Sequence, residues 1–174
     1  MDFLTLAKKR YSTRQFQSKK VEKEKLDAII EAAHVAPTAA NLQPHKLLVL
    51  DDPGQLSKLA PFAHFYNAPL VIVVLAETAS SWKRPYDNKY FAEIDCAIVT
   101  DHMMLQATDM GLGSVWIGSF PPEEIKKEFS IPSDIDIVSI LAIGYAAEQN
   151  AELERHSKTR KPISEIIYNT EDFL

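Results

Sequence analysis

Two cationic clusters stand out in an otherwise acidic chain. Arg10-Tyr11-Ser12-Thr13-Arg14 puts two permanent cations among three hydroxyls near the N-terminus, and Lys158-Thr159-Arg160-Lys161 lies near the other end. Arginine suits phosphate because its planar fork presents several fixed donors. Ser12 and Thr13 would add neutral donors beside it. One reading has the fold bring the two ends together around one phosphate; the other leaves both clusters as solvated basic faces, as charge runs commonly are. A third stretch, Pro37-Thr38-Ala39-Ala40-Asn41-Leu42-Gln43-Pro44, is uncharged and has a proline at each end. Its amide and hydroxyl side chains can pair with both donors and acceptors of a planar heterocycle, and its alanines leave room for one. Equally, those polar groups can close a turn on their own backbone.

Other chemistries find little support. Gly111-Leu112-Gly113 resembles part of a dinucleotide-binding fingerprint, but it follows a helical stretch and lacks the third glycine. No GxxxxGK[ST] loop and no GxSxG elbow occurs. His34, His45, His64, His102 and His156 show no metal-ligand spacing, so no metal site is expected. Convergent polar loops without an evident acid, base or nucleophile are the pattern expected where a cofactor brings the chemistry. The net charge of -5 and pI near 5.5 argue against nucleic acid or an anionic membrane as partner and favour a small molecule. Cys96 is the sole cysteine, and Met1-Asp2-Phe3-Leu4-Thr5 lacks a signal-peptide pattern, so a reducing cytoplasm is the expected location.

The elements that must position these residues follow from periodicity. A short helix over 3–9, with Asp2 as cap, leads into the arginine stretch. Leu26, Ile29, Ile30 and Ala33 recur at helical spacing, predicting an amphipathic helix over 22–36 that Pro37 stops. Strands are expected over 45–50, 70–76, 114–118 and 137–145, with 70–76 so uniformly apolar that both faces should be buried. Helices are expected from Pro53, over 90–110 and over 121–129. The 90–110 helix carries Glu93, Asp95, Asp101, His102 and Asp109, so it cannot span a membrane; it should be central or lie between subunits. A loop over 79–88 with Trp82 and Tyr86 reads as a lid or surface loop. The tail from Ala146 is expected to be extended, with Ile163, Ile166, Ile167 and Tyr168 packing on something, such as a second subunit. One domain over 1–174 is expected, of class α+β (three-layer α/β/α), with one small mixed sheet flanked by helices.

Taken together, these stretches resemble the FMN-dependent nitroreductase family almost from end to end. The markers are Arg10 to Phe16, Ala36 to Pro44, Asn67-Ala68-Pro69, Gly111 to Gly118, and Lys158 to Pro162. The resemblance implies a nitroreductase-like fold and a homodimer with tightly but non-covalently bound FMN at the subunit interface. It implies Arg10 and Ser12 as phosphate and ribityl ligands, Arg14 near the pyrimidine edge of the flavin, and Lys158 and Arg160 completing the phosphate site. Thr38, Ala39 and Asn41 would reach the flavin from the other subunit, and Ile117 and Gly118 would lie against it near N5. Tyr11, Gln43 and Trp116 complete the expected contact set. The implied activity passes hydride from NAD(P)H through flavin N5 to a nitroaromatic, quinone or similar acceptor by a ping-pong mechanism. Arg14 would act electrostatically and no protein acid or base is needed. An FMN-binding carrier or redox-sensing module with little turnover is the alternative. The chain departs from larger members at Pro61-Phe62-Ala63-His64, where they place an amide and a lysine, and in its reduced lid.

Overall fold

The structure, a computed structural model, describes residues 1–147 and 151–168. Among the described residues, six α-helices and four strands follow one another: α1 (Phe3–Lys9), α2 (Lys23–His34), β1 (His45–Leu50), α3 (Pro53–Leu59), β2 (Leu70–Ala76), α4 (Ala92–Asp109), β3 (Gly113–Ile117), α5 (Pro122–Glu128), β4 (Asp136–Gly144) and α6 (Arg155–Thr159). Local chemistry sets several boundaries. The Asp2 carboxylate accepts from the Thr5 N–H, and Asp52 accepts from Gly54 and Gln55 with Pro53 at the first helical position. Gly111 ends the turn after α4 at φ +78, a conformation that costs glycine least.

The strands form one sheet in the order β1-β2-β4-β3, with every neighbouring pair antiparallel. The expected mixed sheet is therefore an antiparallel one. Its only parallel pairing among the described residues is an isolated bridge between Ser12 and Ser114. The apolar run of β2 correctly signalled burial on both faces, but burial says nothing about strand direction. Alternation divides its side chains between two cores. Leu70, Ile72 and Val74 join Ile29, Ala33, Cys96, Val99 and Met103 under α2 and α4. Val71, Val73 and Leu75 join Leu50, Leu59, Ile125, Ile140 and Ala142 under α3 and α5. These are the three layers, and α4 is central to them. Burial pushes the Cys96 thiol up to about 12, so it packs as a small apolar group.

The tail is not simply extended. It forms α6 and a short 3-10 turn over Ile163–Glu165, while Ile163, Ile166, Ile167 and Tyr168 remain exposed on the single chain. The rest of the expected tail, 148–150 and 169–174, lies outside the described residues. Trp82 packs edge-on against Phe91 at 4.8 Å and Tyr86 is exposed, so the 79–88 loop is anchored by one aromatic and displays the other. No helix among the described residues is long and apolar enough to cross a membrane.

Gly113 allows the N-terminal stretch to lie on β3. A Cβ there would come within 2.4 Å of Thr13 Oγ1 and 2.9 Å of its Cβ and Cγ2. Thr13 is itself fully buried, with its N–H bonded to Ser114 O at 3.0 Å, so it has little room to retreat. Gly113→Ala is expected to cost about 1–3 kcal/mol by overpacking. That lowers Tm by roughly 2–10 °C for a chain of this size. Thermal unfolding checks it, and Thr13→Ala in the same chain should restore part of the loss.

Candidate functional site

The Arg10–Arg14 stretch leaves α1 and crosses one end of the sheet. Ser12 bridges Ser114 on the edge strand β3, and Phe16 bridges Ala146 just beyond β4. Gln17 N–H donates to Tyr145 O at 2.9 Å and Ala147 N–H to Gln15 O at 2.9 Å. Neighbouring side chains diverge in their surroundings. Thr13 goes into the core against Gly113, so it is not the ligand donor that its hydroxyl suggested. Ser12 is half-buried and Arg14 exposed, with Arg14 Nη1 donating to Ser12 O at 3.4 Å. Tyr11 is half-buried, and its hydroxyl oxygen is buried without a protein partner. Arg10, Tyr11, Thr108 and Gly111 line a cavity of about 70 Å³, too small for more than a few waters.

The segment carrying the second cationic cluster does meet the first. α6 docks on the end of α1: Arg155 Nη1 donates to Lys8 O at 2.8 Å and to Glu152 O at 2.9 Å, and its Nη2 to Arg10 O at 2.5 Å. This brings Arg160 into electrostatic range of Arg10. The Arg10 guanidinium binds its proton less tightly than usual, first because it is partly buried and then because Arg155 and Arg160 repel it; Asp101 acts weakly the other way. Lys158 is exposed, 3.5 Å from Glu152. Arg10, Arg155 and Arg160 concentrate positive charge that Asp101 offsets only weakly, a setting that suits an anion. The donor set therefore fits a phosphate.

The 37–44 loop is built differently. Thr38 Oγ1 accepts from Gln43 N–H at 3.1 Å, and Gln43 Nε2 donates to Asn41 O at 2.9 Å. Two of its polar side chains are thus used to close the loop, while Asn41 stays exposed. Ala40, Asn41 and Gln43 all have positive φ, at 51, 55 and 49. A non-glycine residue adopts that region only when its surroundings hold it there. Part of the hold is Asp95, 1% exposed on α4, whose Oδ1 accepts from Ala39 N–H at 2.9 Å. The neighbouring His45 ring is half-buried and its pKa lies below the usual histidine value, chiefly through burial, with Asp95 acting the other way. At the remaining positions, Trp116 is partly exposed and Ile117 buried at the end of β3, and beyond Gly118 there is open space. Phe62 and Ala63 belong to the second core and His64 stacks edge-on against Tyr66 at 4.3 Å.

Along α4, Asp95 near the start holds the loop, Asp101 in the middle lies within electrostatic range of Arg10, and Thr108 near the end lines the Arg10 cavity. Arg155 and Asp95 were not singled out by sequence. Their roles depend on carbonyls and an amide far away in the chain, and neither spacing nor charge distinguishes them from a surface cation and a helix acid.

The nitroreductase family profile matches residues 7–64 and 57–145. A protein of Methanothermobacter thermautotrophicus described as an NADH dehydrogenase/NAD(P)H nitroreductase is 34% identical over 157 residues, covering 85% of this chain and 79% of its own. Among solved structures, a nitroreductase family protein from Clostridium difficile 630 superposes with a TM-score of 0.95 at 47% identity, over 98% of this chain and 99% of that one. A nitroreductase from Exiguobacterium sibiricum, solved in complex with FMN, gives 0.81 at 25% identity over 97% of each chain. The chain belongs to the nitroreductase family.

Proposed function

We propose that the protein is an FMN-dependent oxidoreductase that moves hydride from NAD(P)H to a nitroaromatic, quinone or similar acceptor, and works as a homodimer. The observation that carries this reading is the docking of α6 on the end of α1 through Arg155, which brings Arg160 within electrostatic range of Arg10. Arg10, Arg160 and Lys158 hold the phosphate of FMN, with Ser12 and Tyr11 adding hydroxyls. Trp116, Ile117 and Gly118 continue the same edge strand and give the ring a surface to lie on. Arg14, exposed and four residues beyond Arg10, supplies the fixed cation that favours negative charge on the ring. Thr38, Ala39, Asn41 and Gln43 reach the flavin of the partner chain, the role the family resemblance implies for them. FMN, when bound, supplies the hydride acceptor and donor, so the chain needs no acid, base or metal of its own. A hollow of about 740 Å³ between α1, α2 and α4, lined by Phe3, Leu6, Val35 and Leu105 among others, gives a second copy an apolar surface.

The direct test is the absorbance spectrum of the purified protein. It should be yellow and bleach with NADH or NADPH, and an acceptor should restore the colour with ping-pong kinetics. Arg14→Ala should slow bleaching by about 10-fold or more, the effect of losing one preorganised charge, with a smaller effect on FMN affinity. A colourless protein that takes up no added FMN overturns the reading. Flavin binding without turnover favours the carrier alternative.

A further inference from the structure

Arg155 presents an unusual use of an arginine. It sits beside two other arginines, Arg10 and Arg160, yet it donates not to acids but to three backbone carbonyls, of Lys8, Arg10 and Glu152. A guanidinium has five N–H donors, and here both of those on Nη1 and one on Nη2 are taken. The Nε–H and the second Nη2–H remain, so most of the fork, three donors of five, is committed to backbone. The carbonyls of Lys8 and Arg10 lie at the C-terminal end of α1, where a helix leaves acceptors unsatisfied and a cation is favoured. His156 adds a second contact to Lys8 O at 3.3 Å, and Lys8 lies 3.9 Å from Glu154. From Arg155 onward, one helical turn carries the chain to Lys158 and Arg160, with Arg160 N–H bonded to His156 O at 3.0 Å. Both ends of this contact are residues that the phosphate reading depends on: Arg10 through its own carbonyl, Arg160 through α6.

We infer that Arg155 is a positioning residue: its fork fastens α6 to the end of α1 and so sets Arg160 beside Arg10 at the proposed phosphate site. The inference rests on the FMN reading and adds to it a residue that touches neither flavin nor substrate. Like-charge repulsion works against the three-arginine arrangement, and the carbonyl bonds hold it until an anion arrives. A phosphate bound there would in turn strengthen the docking of the tail. Arg155 thereby acts on selectivity for the phosphorylated flavin, and not on affinity for the ring.

The test compares the affinities of flavin-free full-length protein for FMN and for riboflavin, which differ only by the phosphate. The wild-type chain should prefer FMN. Arg155→Ala should lower that preference by about 10-fold or more, the scale of a charged hydrogen bond lost, and leave riboflavin affinity unchanged. Arg155→Lys, which keeps the charge and stem, should also lower it, because one ammonium cannot span carbonyls that the fork reaches from two nitrogens. In an Arg160→Ala chain, Arg155→Ala should have little further effect, since the residue it positions is gone. A wild-type preference retained in either single variant, or a full additive loss in the double one, overturns the inference alone. A wild-type chain with no preference for FMN overturns the phosphate reading and the inference with it.

Discussion

Replacing Arg10 by alanine is expected to weaken FMN binding by about 10- to 100-fold, the range for one charge-assisted hydrogen bond to a phosphate. Riboflavin affinity should hardly change. The same substitution should leave the flavin-free protein as stable as before, or more so. The two effects have one cause. Arg10 is partly buried and faces Arg155 and Arg160, so in the absence of an anion its charge is a burden on the fold. A phosphate turns this burden into binding energy. Its carbonyl, which Arg155 holds, belongs to the backbone and survives the substitution. Fluorescence titration with the two flavins and thermal unfolding without flavin check both halves. Equal losses for FMN and riboflavin would place Arg10 at the ring and not at the phosphate. A large fall in the Tm of the flavin-free chain would make it a structural residue first.

How far the sequence reached depends on the range of the interaction. The strands β1 and β2, the helix α2 with Ile29 and Ala33 on its inner face, and the start of α3 at Pro53 are local patterns of apolar spacing and capping. Strand direction was not legible, because β-branched runs report burial while pairing is set by which ends the connections join. The tail failed for a different reason. Glu152 to Arg160 carries almost no apolar residue, so α6 has no periodicity to read, and it is held by Arg155 reaching the carbonyls of Lys8 and Arg10. Thr13 shows the limit within a motif. Its hydroxyl looked equivalent to that of Ser12, but the backbone is extended there, so adjacent side chains take opposite sides, and Gly113 leaves the space that Thr13 fills. Asp95 looked like an ordinary acid near a helix start; only the fold shows it buried and holding Ala39. The resemblance implied a set of site residues, and the structure shows contacts that hold two of them, Arg155 on the Arg10 carbonyl and Asp95 on the Ala39 N–H.

Two disabled chains are expected to restore one working site when they share a dimer. Let one chain carry Arg10→Ala with Arg160→Ala, and the other Ala39→Trp, which fills the loop with bulk while leaving the Ala39 N–H free to bond Asp95. Each alone should bind FMN poorly or turn over slowly, because every site combines a defective part with an intact one. In a two-fold dimer that mixes them, one site collects both defects and the other collects neither. Doubly tagged heterodimers should then recover about half of the wild-type activity, one good site of two. The expectation comes from the proposed dimer, in which the loop of one chain serves the arginine cluster of the other. A mixed dimer that stays inactive would show that the loop serves its own chain's site or none. An Ala39→Trp chain with full activity would remove the loop from the site altogether. Recovery near half would instead show that the loop of one chain completes the arginine cluster of the other, and would give the apolar surface on α1, α2 and the tail a partner to cover it.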